Sequence, residues 1–183
     1  ATTIEDVIEQ DRDLVDSGRR RITALALAGD EVVASDAVYG PSRRFITRYL
    51  GARGVASRFH PADASTEAVV GMLSSRTRVL LMESPASLTF EIADVPALAR
   101  ACRERGVISV LDNTWAAGLA FRPLDHGVDV SLQALTKYAS GHSDVLMGSV
   151  VVRDQALLDQ AAHEVKIGLR GGREAHLDLL EAD

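Results

Sequence analysis

Five short apolar runs, each closed by polar residues, recur along the chain: EVVAS (31–35), TRVLLMES (77–84), GVISVLDN (106–113), GVDVSLQ (127–133) and MGSVVVRD (147–154). Runs this short and this continuously apolar suit strands buried on both faces, as in a parallel sheet. Amphipathic helical stretches separate them. PSRRFITRYLGARG (41–54) sets Phe45, Tyr49 and Leu50 on one face and arginines on the other, and STEAVVGMLSS (65–75) repeats the pattern. VPALARACRERG (95–106) opens with a first-turn proline and closes on glycine, the order in which those residues bound a helix. Strand and helix in alternation predict an α/β fold with a mainly parallel sheet and helices on both faces.

At 183 residues the chain is long enough for one sizeable core, and no linker, internal repeat or low-complexity segment divides it. We read a single domain over 1–183, with a helical lead-in over 1–16, a core over 17–152, and two helices over 153–183 that flank a turn at Gly171-Gly172. A net charge of −6 argues against nucleic acid and anionic membranes, which need a surplus of Lys and Arg. No apolar run approaches the roughly 18 residues of a membrane span. The opening ATTIEDVIEQDRDLV has neither the basic start nor the apolar stretch of a secretion signal. Cys102 is the one cysteine, which excludes an internal disulfide and a cysteine metal cluster. The histidines at 60, 126, 142, 163 and 176 show no metal-ligand spacing. A cytoplasmic location and no bound metal are expected.

In open α/β sheets, ligands bind beyond the carboxyl ends of the strands. Asp112 stands at such an end, after ISVL, and Lys137 stands at or just past the end of the next run. A desolvated lysine amine condenses with a carbonyl, and a carboxylate holds a pyridine nitrogen protonated. Both side chains over one crevice describe a site for pyridoxal 5'-phosphate. Thr136 adds a hydroxyl for a phosphate, and Tyr39, in SDAVYG, adds a ring that stacks on a planar cofactor. Singly, each residue keeps a plainer reading: Asp112 as the cap of a following helix, Lys137 as a solvated surface residue, Tyr39 as an aromatic packed on the core. GHSD (141–144) reads as a turn, because three consecutive side chains do not converge as a hydrolase triad must. GLRGGR (168–173) reads as a basic turn between helices.

The blocks SDAVYGPSRRF, ESPASLTFEIADVPAL and LDNTWAAGLAFRPLDHGVDVSLQALTKYASGHSDVLMGSVVV resemble, in order from about Ser17 to Val152, the transsulfuration (Cys/Met metabolism) family of pyridoxal phosphate enzymes. Within the family they are most similar to its cystathionine β-lyases. The resemblance implies the cofactor domain of the aspartate-aminotransferase-like fold. It implies Lys137 as the Schiff-base lysine, Asp112 as the pyridinium partner, Tyr39 as the stacking ring and Thr136 as a phosphate contact. Ser17, Gly18 and Arg19 align with a turn whose backbone N–H groups cradle the phosphate. Ser87 matches a position near the cofactor hydroxyl and the substrate carboxylate, and ESPAS is nearer the β-lyase form than the Asn-containing form of the γ-enzymes. The implied reaction is β-elimination of a small sulfur amino acid, L-cystathionine, to homocysteine, pyruvate and ammonia. The implied assembly is a homo-oligomer, a dimer or tetramer.

Three features depart from the family pattern. The first sixteen residues hold no Tyr-x-Arg segment, and the small carboxy-terminal domain with its substrate-binding arginine is not in the sequence. Arg19, Arg20 and Arg21 stand where the family has small or apolar residues, so either Arg19 serves as a phosphate ligand or the three line a solvated face. Ala134 lacks the hydroxyl that many relatives place three residues before the lysine. Two alternatives accompany the β-lyase reading: an inactive, cofactor-binding or structural remnant, and a cystathionine γ-synthase or γ-lyase.

Overall fold

A computed structural model describes residues 25–141 and 148–157. The predicted runs form strands β1 (Glu31–Ser35), β3 (Thr77–Glu83), β4 (Ile108–Asp112), β5 (Val130–Ala134) and β6 (Gly148–Val152), and a further strand, β2 (Ala56–His60), lies at one edge. They make one six-stranded sheet in the order β2-β1-β3-β4-β5-β6. Every pairing is parallel except β5 with β6.

Two apolar clusters cover the sheet, one on each face. Val32, Ala34, Val79, Leu81, Ile108 and Val110 point to the face packed by Ile46 and Leu50. Val33, Leu80, Met82 and Leu111 point to the other, against Val69 of α2 (Thr66–Met72) and Leu98, Ala99 and Cys102 of α3 (Val95–Arg105). This period-two division explains the unbroken apolar runs: neighbouring residues serve opposite cores. Helix α3 begins where the Asp94 side chain accepts from Ala97 N (3.0 Å). It ends at Gly106, whose φ of 67° suits glycine.

Two local readings need correction. The stretch 41–54 is not one regular helix but α1 (Gly40–Arg44), a π-helical turn (Phe45–Leu50) and a 3-10 turn (Gly51–Arg53). The wider π turn shifts the inward face from the one a 3.6-residue period sets. Ile46 and Leu50 are buried, while Phe45 and Tyr49 stack on each other at 4.9 Å. Strand β2, ASRFH, has no apolar run to announce it, because an edge strand with partly exposed residues needs none.

Polar anchors occupy the amino end of the sheet. Buried Glu31, the first residue of β1, accepts from Thr77 Oγ1 (2.6 Å) and Ser74 Oγ (3.0 Å) and pairs with Arg58 (2.8 Å). Buried Asp129, just before β5, accepts from Ser109 N and Oγ and pairs with Arg153 (2.8 Å). These contacts tie strand starts together and leave the carboxyl ends to other work.

Candidate active site

Each described residue singled out in the sequence follows the carboxyl end of a strand. Asp112 ends β4, Lys137 and Thr136 lie in the turn after β5, Tyr39 precedes α1 after β1, and Ser87 follows β3. Strand β1 leads to β2 on one side, and the chain then returns to β3 on the other. The carboxyl ends of β1 and β3 therefore form a topological switch point, where connections diverge and a crevice opens. The crevice is shallow, about 20 Å³, and is lined by Val38, Ser42, Leu81, Glu83, Asp112 and Leu132 among others. Ser17, Gly18, Arg19 and the neighbouring arginines lie outside the described residues, as do His142, Ser143, Asp144 and the 168–173 segment.

Asp112 caps no helix: the residues after it form turns. Its Oδ1 accepts from Thr114 N (3.1 Å) and Thr114 Oγ1 (2.6 Å). The same Thr114 oxygen accepts from Ala134 N (2.9 Å). One hydroxyl thus links the carboxylate of β4 to the backbone of β5. Ala134 contributes through its main chain, so its lack of a hydroxyl leaves this link intact.

Lys137 is exposed on a turn held at both ends. Its N–H donates to Ala134 O (3.2 Å), and Ser140 Oγ donates to Thr136 O (2.8 Å). Lys137 Nζ lies 5.3 Å from the centroid of the Tyr39 ring, within cation–π range. Ser87 is drawn toward the β1 connection by its N–H, which donates to Ala37 O (3.1 Å). Phe90, held at a φ of 63°, sets its ring edge-on to Trp115 at 5.1 Å and joins the loops after β3 and β4.

Sequence reasoning missed Glu83. It ends β3 as Asp112 ends β4, and the two are register partners on adjacent strands. Its Oε2 accepts from Tyr39 N (2.7 Å). Burial, then the neighbouring Asp112, push the Glu83 carboxyl above the usual range; the bonds from Tyr39 and Ser87 and the Lys137 charge oppose this without reversing it. The signal was present in the sequence, since a polar residue closing an apolar run had already marked Asp112. Thr114 was missed as well, and a Thr two residues after a strand-end Asp carries no comparable mark.

The donor set suits pyridoxal phosphate chemically: an amine for a carbonyl carbon, a fixed carboxylate for a ring nitrogen, a flat ring for stacking, and hydroxyls for phosphate oxygens. The model of the Cys/Met metabolism PLP-dependent enzymes matches residues 16–173. The chain belongs to this family. Its cofactor is accordingly pyridoxal phosphate. Among family relatives, cystathionine beta-lyase MetC of Escherichia coli is 42% identical over 133 residues, covering 71% of this chain and 33% of that protein. An L-alanine/L-glutamate racemase of Wolbachia pipientis is 37% identical over 134 residues, covering 73% and 32%. A crystal structure of cystathionine gamma-lyase from Lactobacillus plantarum, complexed with L-serine, superposes with a TM-score of 0.78 at 30% identity, covering 83% of this chain and 40% of that one. The chain spans about a third to a half of the length of the curated relatives it matches. Among the described residues no helix is long and apolar enough to cross a membrane, and no cluster of His, Cys, Asp and Glu could hold a metal ion.

Proposed function

We propose that the chain is the cofactor domain of a carbon–sulfur lyase that carries L-cystathionine through β-elimination to homocysteine, pyruvate and ammonia, working as a homo-oligomer. The observation that carries this reading is the meeting of Lys137 Nζ with the Tyr39 ring at 5.3 Å, on the same rim as a carboxylate fixed by Thr114. When bound, the cofactor supplies an electron sink for the bond broken at the substrate's Cα. Lys137 would hold the cofactor at its carbonyl carbon, and its amine would be the general base for the Cα proton. Asp112 favours a protonated ring nitrogen. Tyr39 orients the ring and stands beside the lysine during proton transfer, Thr136 and the 17–19 turn hold phosphate, and Ser87 orients the substrate carboxylate.

The preference for β-elimination rests on ESPAS and on the beta-lyase names of several relatives. A second reading, γ-elimination, is favoured by the gamma-lyase structure. Both need the same proton removal at Cα and differ in the bond that breaks next.

The test begins with purified chain loaded with pyridoxal phosphate and desalted. A retained visible chromophore that borohydride bleaches, and pyruvate release from L-cystathionine, are the expected results. Release of 2-oxobutyrate instead would assign the γ reaction, and absence of any retained chromophore would sink the cofactor reading.

A further inference from the structure

The carboxyl rim contains one buried acid to which the proposed reaction gives no task. Glu83 is 8% exposed and ends the central strand β3 beside the crevice. Two relationships set it apart from an ordinary buried carboxyl. Its Oε2 accepts from the N–H of Tyr39, 2.7 Å away, so it grips the main chain that carries the stacking ring. As the register partner of Asp112, it also projects on the same face of the sheet as the residue assigned to the ring nitrogen.

We propose that Glu83 is a positioning residue: through the Tyr39 N–H it fixes where the tyrosine ring stands beside Lys137, and it does so from beside Asp112. Tyr39 lies outside both β1 and α1, with φ −41° and ψ 124°, and its side chain does not cap the helix. Glu83 therefore gives the connection a long-range anchor, reaching across 44 positions of sequence. Alanine at 83 removes the anchor, whereas glutamine keeps an acceptor oxygen of the same reach. Burial and the nearby Asp112 both raise the Glu83 carboxyl, and a neutral amide keeps the acceptor free of those two penalties.

The inference rests on the cofactor reading for its ligand, and the test separates the two. Hydrogen exchange at the Tyr39 amide of the full, cofactor-free chain is compared for wild type, Glu83→Gln and Glu83→Ala, with Val110 in β4 as the internal reference. Pyridoxal phosphate affinity is then measured by equilibrium dialysis. Expected are a protected Tyr39 amide in wild type and Glu83→Gln, fast exchange in Glu83→Ala with Val110 unchanged, and affinity about threefold weaker in Glu83→Ala alone, within the loss from removing the ring itself. Unchanged Tyr39 protection in Glu83→Ala would overturn the proposal. If the alanine variant does not fold, loss of Tyr39 protection in Glu83→Gln overturns it, and retention supports it. Should wild type bind no pyridoxal phosphate while the exchange pattern holds, the cofactor reading fails and the anchoring of Tyr39 by Glu83 stands.

Discussion

Lys137 Nζ approaches the Tyr39 ring to 5.3 Å, although the two residues follow strands β5 and β1, with β3 and β4 between them. Three strand spacings amount to roughly 14 Å, so the two side chains lean toward each other over the intervening strand ends. Lys137→Ala is expected to abolish the borohydride-sensitive chromophore. Lys137→Arg should abolish it equally, because a guanidinium keeps the charge over the ring but offers no condensing amine. Absorbance after desalting decides, and a chromophore surviving in the arginine variant would exclude Lys137 as the attachment point.

Tyr39 is assigned to stacking and orientation, which separates its ring from its hydroxyl. Tyr39→Phe should bind pyridoxal phosphate within about twofold of wild type, whereas Tyr39→Ala should lose about 1 kcal/mol, roughly fivefold in affinity. Equilibrium dialysis checks this, and equal losses in the two variants would move the role from ring to hydroxyl.

The Thr114 hydroxyl joins Asp112 Oδ1 to Ala134 N. Thr114→Val preserves shape but leaves Ala134 N–H and Asp112 each short of a partner, at a cost of about 1–3 kcal/mol in urea unfolding. Thr114→Ser should restore most of it. Weakened cofactor binding in the valine variant, with serine rescue, would show that the link orients Asp112 as well as stabilising the fold.

Two buried glutamates give opposite pH dependences. For Glu31, burial raises the carboxyl's pKa, but hydrogen bonds from Thr77, Arg58 and Ser74 together hold it below the usual value. Its stabilisation is present above the unfolded value of about 4.3 and is lost as pH falls through the folded one. Because Arg58 is 42% exposed, solvent screens that pair, and Glu31→Gln should cost about 1–2 kcal/mol near neutrality. Glu83 is raised, so its favourable contribution is complete below the unfolded value and fades as pH rises through the folded one. Glu83→Gln should therefore flatten the fall in stability above about pH 4.3, while Glu31→Gln flattens the fall below it. Urea unfolding across pH resolves the two, and identical profiles for both variants would contradict this assignment.

Cys102 is fully buried against α2 and the sheet, and burial, then Asp129, push its thiol up to about 12. Iodoacetamide should leave the native chain unmodified and label it stoichiometrically in urea. Rapid native labelling would show that this core opens readily.

The sheet was legible above all in β1, β3 and β4, which serve two cores and so advertise themselves as continuous apolar runs. Strand β2 stayed hidden because its edge position allows Ser57 and Arg58. Asp112 and Lys137 were legible by position alone, as polar residues where apolar runs stop. Glu83 carried the same mark and was passed over, since nothing in one dimension links it to Tyr39 across the sheet. The π turn escaped for a related reason: which of Phe45, Ile46, Tyr49 and Leu50 turn inward depends on a pitch that the residues themselves do not announce.

The amino-end ties through Glu31 and Asp129 and the carboxyl-end crevice sit at opposite poles of one sheet. Changes in the connections after β1, β3, β4 and β5 therefore remodel the crevice while the fastening at the far pole is untouched.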